Sequence, residues 1–426
     1  MIQYVVNLCD RAAADPDRFG PKAANQATLG QAGLPIPDGF CLDAAAYRAQ
    51  IESLGLAEAA HRAATLDYMA ARQYLAQVRI ALFEQPIAAE IEAQVLAAYH
   101  ELADRVGPRV AVRSSSIMED RAGTSFAGQF QSYLGIDNET DLLTTVRACW
   151  GALWSSRAMR YMDGQDLSPD DTAMGVLVQA LIDARASGGG MSQTAGGGMS
   201  ISATWGLGEA IAQGEVVPDR YDLTRGGDLV ETTLGHKSHS VHCHHHGPGS
   251  RAVDAARVAE PCLSNDEVRQ LGQMMRKAES VMGRPVEIEW AVDASGIRML
   301  QARPLQTQPA PVPDEIWLRH PGVRGHPGGI GWGAGRACVI SCECELGRVG
   351  PGDVLVTRVA GPALAQILPR VAGVVSELGG STSHLASLAR ERGIPMVLGV
   401  PDATHAIPDG AQVGVDGVAG IVRWIS

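Results

Sequence analysis

The stretch Gly379-Gly380-Ser381-Thr382-Ser383-His384-Leu385-Ala386-Ser387-Leu388-Ala389-Arg390-Glu391 decides how this chain is read. A glycine pair and a run of hydroxyl residues lead into an apolar, helix-forming segment, with one histidine at the junction. Ser381, Thr382 or Ser383 can cap that helix. The first turn then presents free backbone N–H groups and the positive end of the macrodipole. Such a place disfavours imidazolium and favours an anion, which suits a histidine that carries phosphate. A capping loop with an incidental histidine satisfies the same residues, so the stretch by itself leaves both readings open.

Outward from this stretch, short valine-rich segments alternate with glycine turns. Upstream lies the proline-rich run Gln306-Thr307-Gln308-Pro309-Ala310-Pro311-Val312-Pro313. Such a run is semi-rigid and extended, a natural boundary. Before it, Val286 to Trp290 and Arg298 to Gln301 read as a hairpin around Asp293-Ala294-Ser295-Gly296. Residues 264–282 read as an amphipathic helix, with Ser264 and Glu267 fitting a capping box. Residues 51–107, interrupted by Pro86, and residues 139–163 carry helical periodicity. Val110-Ala111-Val112-Arg113 reads as a buried strand entering the polar loop Ser114-Ser115-Ser116, and residues 175–182 as a second strand. The glycine-rich segment 187–198 reads as a mobile loop.

The chain has 426 residues, enough for two or three domains with their own cores. Its formal net charge is −12, without Lys/Arg runs, which excludes nucleic acid and anionic membrane as expected partners. The N-terminal residues lack the basic and apolar regions of a signal peptide, and no apolar run reaches membrane-spanning length. With 8 cysteines and no export signal, a cytoplasmic protein with mostly buried or reduced thiols is expected.

Gly379-Gly380 with His384, then Ala389-Arg390-Glu391 with Gly393-Ile394-Pro395, Asp409-Gly410 and Val415-Asp416-Gly417 together resemble a swivelling phosphohistidine domain. That domain belongs to the phosphoenolpyruvate synthase, pyruvate phosphate dikinase and rifampicin phosphotransferase family. Upstream, Lys22-Ala23-Ala24-Asn25, Leu34 to Phe40, Val112 to Ser115, Glu119-Asp120, Ser125 to Gln129, Trp205 to Glu209, Gly214-Glu215, Pro218-Asp219, Ile288-Glu289-Trp290 and Leu300 to Pro304 resemble its ATP-grasp domain. The resemblance implies a mixed α+β and α/β multidomain fold. An ATP-grasp domain of two subdomains spans 1–308, a proline-rich linker 309–313, and a small β/α phosphohistidine domain 314–426.

Each matched position also has a chemical reason. Phosphoryl transfer from ATP is catalysed chiefly by positioning and charge neutralisation. Lys22, Arg113 and Arg303 are candidate clamps on the polyphosphate, Arg as a bidentate fork and Lys as a point charge. Glu289 and Gln301, on the two arms of the hairpin, offer the hard oxygen donors that suit Mg²⁺. Gly128 permits close approach to the nucleotide. By resemblance, Gln179 meets the adenine edge, Ser132 is a further nucleotide contact, and Lys237 approaches the phosphates.

Three departures from the family stand out: Gly20-Pro21-Lys22 for Gly-Gly-Lys, which stiffens the loop before Lys22; Glu287 for the usual Asp; and Ser187 to Ser192 for a segment near the phosphates. The histidines between His236 and His246, with Cys243, match no closed zinc pattern and read as a solvated hairpin or loop, with metal binding as the other reading. Cys338, Cys342 and Cys344 read as plain core or edge-strand cysteines.

The implied activity is dikinase-type phosphotransfer with ATP as co-substrate. His384 takes the β-phosphate, AMP and phosphate leave, and the phosphoryl group passes to an acceptor. The relatives' pyruvate-binding barrel is not recognisable here, so the acceptor is expected on a separate subunit. Two alternatives are a phosphocarrier that modifies a partner protein and a degenerate ATP-binding interaction protein.

Overall fold

Apolar runs and their spacing lay down three sheets in the computed structural model. It describes residues 2–66, 68–119, 130, 132–163, 167–169, 172–194, 196–244, 247–305, 320 and 322–425. The linker 309–313 and Gly128 lie outside the described residues. The chain forms two compact units. One comprises residues 1–182, 243–249 and 298–303, the other residues 183–242, 250–297 and 304–426.

In the first unit, β1 (Val5–Asn7), β2 (Gly39–Leu42), β3 (Val110–Ser116), β4 (Ser132–Ile136) and β5 (Met174–Ala180) form an antiparallel sheet in the order β1-β2-β5-β3-β4. Helices Ala44–Ser53, Ala57–Thr65, Tyr68–Glu84, Ala89–Val106, Glu139–Ala152 and Ser156–Asp163 fill the two segments of helical periodicity. Their apolar residues build the main core around Trp150 and Tyr47, whose hydroxyl accepts from the Trp154 indole at 2.8 Å.

In the second unit, β6 (Ala186–Met191), β7 (Met199–Trp205), β8 (Asp219–Leu223), β9 (Leu229–Thr233) and β12 (Val286–Asp293) form an antiparallel sheet in the order β12-β6-β7-β8-β9. The glycine-rich segment is therefore a central strand and not a mobile loop. Its glycines are needed for space: a Cβ on Gly188 would lie 1.9 Å from the Ser202 carbonyl, and one on Gly190 2.6 Å from the Met275 sulfur. Between β9 and β12 come β10 (His239–His244) and β11 (Gly247–Ala252), a two-stranded sheet at the histidine-rich segment. The helix Asn265–Met282 starts with the expected capping box, Ser264 and Glu267 bonding reciprocally, and ends at left-handed Gly283. Past the hairpin turn, β13 (Gly296–Pro304) runs from the second unit into the first.

The remaining strands are β14 (Gly322–Arg324), β15 (His326–Pro327), β16 (Trp332–Ile340), β17 (Val354–Thr357), β18 (Gly373–Ser376), β19 (Met396–Leu398), β20 (Gln412–Asp416) and β21 (Ile421–Ile425). Their order is β14-β21-β20-β16-β17-β18-β19-β15, with β16 to β19 parallel. β17, β18 and β19 are buried throughout, as parallel strands covered on both faces are. One face packs under the helix His384–Glu391, the other under Ala403 and Ile407. Cys338 is buried in β16, between two neighbouring strands, while Cys342 and Cys344 are joined by a disulfide, against the expectation of plain cysteines.

Candidate active site

In the first unit the helix Pro16–Gln31, capped by Asp15, carries Lys22. It is broken at Gly20 (φ 77°, ψ 155°), and Pro21 restarts it. The expected stiff loop before Lys22 is thus a kink inside a helix. A Cβ on residue 20 would sit 2.3 Å from the Ser115 carbonyl oxygen, so glycine is required on both steric and conformational grounds. Lys22 is buried, unlike an ordinary lysine. Its ammonium donates to the Ser114 carbonyl at 3.0 Å and pairs with Glu119 Oε1 at 3.0 Å. Glu119 is the site residue that sequence reasoning left unassigned. Its place in the polar loop after the Arg113 strand was the available signal.

Arg113 lies inside β3, not after it. Its guanidinium donates to the Leu300 carbonyl at 2.7 Å and to Gln301 Oε1 at 2.8 Å. Ser132 stands directly opposite Arg113 on β4 and is exposed. Gln179 is buried near the end of β5, and its Nε2 has no hydrogen-bond partner. That is a donor suited to a ring nitrogen or carbonyl of a bound molecule. Arg303 is half-buried on β13. The structure thus brings together Lys22 with Glu119, and Arg113 with Gln301 and Ser132.

The second unit holds Glu289 and His384. Glu289 is half-buried on β12. His384 is exposed and is the first residue of its helix. Among the three hydroxyl residues, Ser383 is the cap, accepting from the Ala386 N–H at 3.2 Å. Buried Ser381 places its hydroxyl 3.4 Å from that of Ser202. Lys237, expected near phosphates, is instead fully buried and paired with Asp219. Asp219 also accepts from the Gly235 and Cys262 N–H groups, so this pair is a structural hub. Burial, and secondarily Glu215, raises the Glu209 carboxyl above its ordinary pKa, while Glu215 meets His239 at 3.0 Å. Among the described residues no group of three or more His, Cys, Asp or Glu is arranged to hold a metal ion, and His245 and His246 lie outside them.

Two family models match this chain: the pyruvate phosphate dikinase AMP/ATP-binding domain over residues 16–316, and the PEP-utilising enzyme mobile domain over residues 349–420. The chain belongs to the pyruvate phosphate dikinase AMP/ATP-binding domain family. Over 99% of its length it is 31% identical to the probable phosphoenolpyruvate synthase of Methanothermobacter thermautotrophicus, covering 64% of that protein. Over 95% it is 32% identical to the phosphoenolpyruvate synthase of Aeropyrum pernix, covering 56%. Over its whole length it is 31% identical to the Pseudomonas aeruginosa phosphoenolpyruvate synthase, covering 58%. No helix of the described residues is long and apolar enough to cross a membrane.

Proposed function

We propose that this chain is an ATP-dependent phosphotransferase of dikinase type, with an ATP-grasp domain over 1–308, a linker over 309–313 and a swivelling phosphohistidine domain over 314–426. The carrying observation is His384: an exposed imidazole at the first position of a serine-capped helix, inside the span matching a PEP-utilising enzyme mobile domain. Lys22, Arg113 and Arg303 hold the polyphosphate, with Gly128 and Ser132 as further contacts. The unpartnered Gln179 amide donates to the adenine.

Glu289 and Gln301 offer only oxygen, a donor set that fits Mg²⁺ and not a softer ion. Mg²⁺, when bound, supplies charge neutralisation on the phosphates. Gln301 Oε1 already accepts from Arg113, which leaves one lone pair of the amide oxygen for the ion.

In the reaction, an imidazole nitrogen of His384 bonds to the β-phosphorus as the bond to the α–β bridging oxygen breaks and AMP leaves. Hydrolysis of the γ-phosphate leaves phosphohistidine. The phosphoryl group then passes to an acceptor on a separate subunit, regenerating the imidazole. A covalent carrier divides one difficult transfer into two positioned steps.

The test is incubation with ATP labelled separately at the β and γ positions. Acid-labile β-label on the protein, lost in His384→Ala, is expected. Stable label arriving only from γ overturns the reading. Adding co-purifying proteins and metabolites to the phosphorylated form then searches for the acceptor.

A further inference from the structure

The helix His384–Glu391 is pinned at both ends to the sheet that contains β6 and β12. At its N-terminal side, the Gly379 N–H donates to the Val216 carbonyl at 3.1 Å, and Ser381 meets Ser202. At its far end, Arg390 Nη2 donates to Glu287 Oε1 at 2.7 Å. Ser387, one turn back, adds its hydroxyl at 3.2 Å to the same carboxylate. Both members of the ion pair are buried, with side chains 5% and 8% exposed.

The bonding of Arg390 is asymmetric. Its Nη1 donates to the Gly328 and Ser381 carbonyls, both within the C-terminal segment that carries it. Those bonds persist wherever that segment goes. Its charge, however, meets a carboxylate only through Glu287, which belongs to the preceding domain of the proposed reading. An ion pair of this kind adds little net stability against water, but it fixes geometry, and removing one member leaves an uncompensated buried charge. The pair therefore favours one placement of the helix over others.

We infer that Glu287, with Arg390 and Ser387, is a positioning latch that holds the His384 helix docked on the β6–β12 sheet, and that breaking it releases the phosphohistidine segment. His384 lies about 9 Å from Arg390 along the helix axis, at 1.5 Å rise per residue, so the latch acts on the histidine by orienting its helix. Glu287 is a positioning residue and not a catalytic one. This inference rests on the carrier reading of His384, but the docking it describes is measurable without phosphotransfer.

The experiment compares wild type, Glu287→Gln and Glu287→Asp by hydrogen exchange of the peptide holding Gly379, whose N–H bond to Val216 reports docking directly. Labelling of His384 from β-labelled ATP in a single turnover and nucleotide affinity are measured alongside. Glu287→Gln is expected to speed Gly379 exchange at least about tenfold and to slow labelling comparably, with nucleotide affinity unchanged. Glu287→Asp, which keeps the charge but shortens its reach, is expected to fall between. Unchanged Gly379 exchange in Glu287→Gln overturns the latch, whatever the labelling does. Faster exchange in a protein whose wild type takes no β-label supports the latch and removes the carrier reading.

Discussion

Gly189→Ala tests how the His384 loop is seated. Gly189 lies mid-strand in β6, opposite Glu289 on one side and Ser202 on the other, so its backbone is held by two neighbours. A Cβ built there falls 2.7 Å from both Cβ and Cγ2 of Thr382 and 3.0 Å from its hydroxyl. Carbon pairs rest at about 3.5–4.0 Å, so something must retreat by roughly 1 Å. The sheet cannot yield without breaking its ladder, which leaves the Thr382 loop to move, and His384 is two residues further on. Overpacking of this size costs about 1–3 kcal/mol, or roughly 5- to 150-fold in the population of the seated loop. Single-turnover transfer of β-label to His384 should fall within that range, with ATP affinity unchanged. Thr382→Gly in the Gly189→Ala background removes both colliding carbons and should restore most of the rate. Labelling of Gly189→Ala at the wild-type rate would refute the reasoning.

Lys237→Met strips the counter-charge from fully buried Asp219 and should lower stability by about 3–5 kcal/mol, read as a lower urea midpoint; a loss under about 1 kcal/mol contradicts a structural hub. His326 is buried, and its pKa is lowered to about 4 by burial first and by nearby Arg220 second, with Asp219 opposing. The folded state then binds fewer protons than the unfolded one between the ordinary value of about 6.5 and about 4, so the stability is complete above the upper value and lost as pH falls through the window. The loss should reach roughly 2 kcal/mol at pH 5 and roughly 3 kcal/mol below pH 4, and His326→Phe should flatten that part of the stability curve; parallel curves would count against it. Arg113→Lys replaces a fork that reaches both Leu300 and Gln301 with a single ammonium, and ATP affinity measured by calorimetry should weaken by about tenfold.

Much of the scaffold was legible because local rules govern it. The Ser264–Glu267 capping box, the β12–β13 turn and the serine cap before His384 depend on residues within one turn of each other. The glycine-rich β6 was not legible. Glycine weakens strands locally, and only the close approach of Ser202, Trp290, Met275 and Thr382 explains why side chains are excluded there. Lys237 was misplaced for a similar reason. Nothing nearby in sequence discloses that Asp219, together with its backbone donors, forms a buried socket. The pairings of Lys22 with Glu119 and of Arg113 with Gln301 join positions 97 and 188 residues apart, and no periodicity encodes such distances. The Cys342–Cys344 disulfide was missed because cysteines were weighed as ligands or core residues, not as neighbours of each other.

The kink at Gly20 has a mechanical consequence. Its backbone rests on the Ser115 carbonyl, and the Ala23 N–H donates to the Ser115 hydroxyl at 3.1 Å. Lys22 is flanked by these contacts, while Arg113 stands two residues before the serine that makes them. The two cations therefore share one footing, like calliper jaws on a common bar, and a shift of the helix carries the strand with it. Widening that gauge with even a methyl group at position 20 would change the spacing available to a chain of phosphates without altering a single charge.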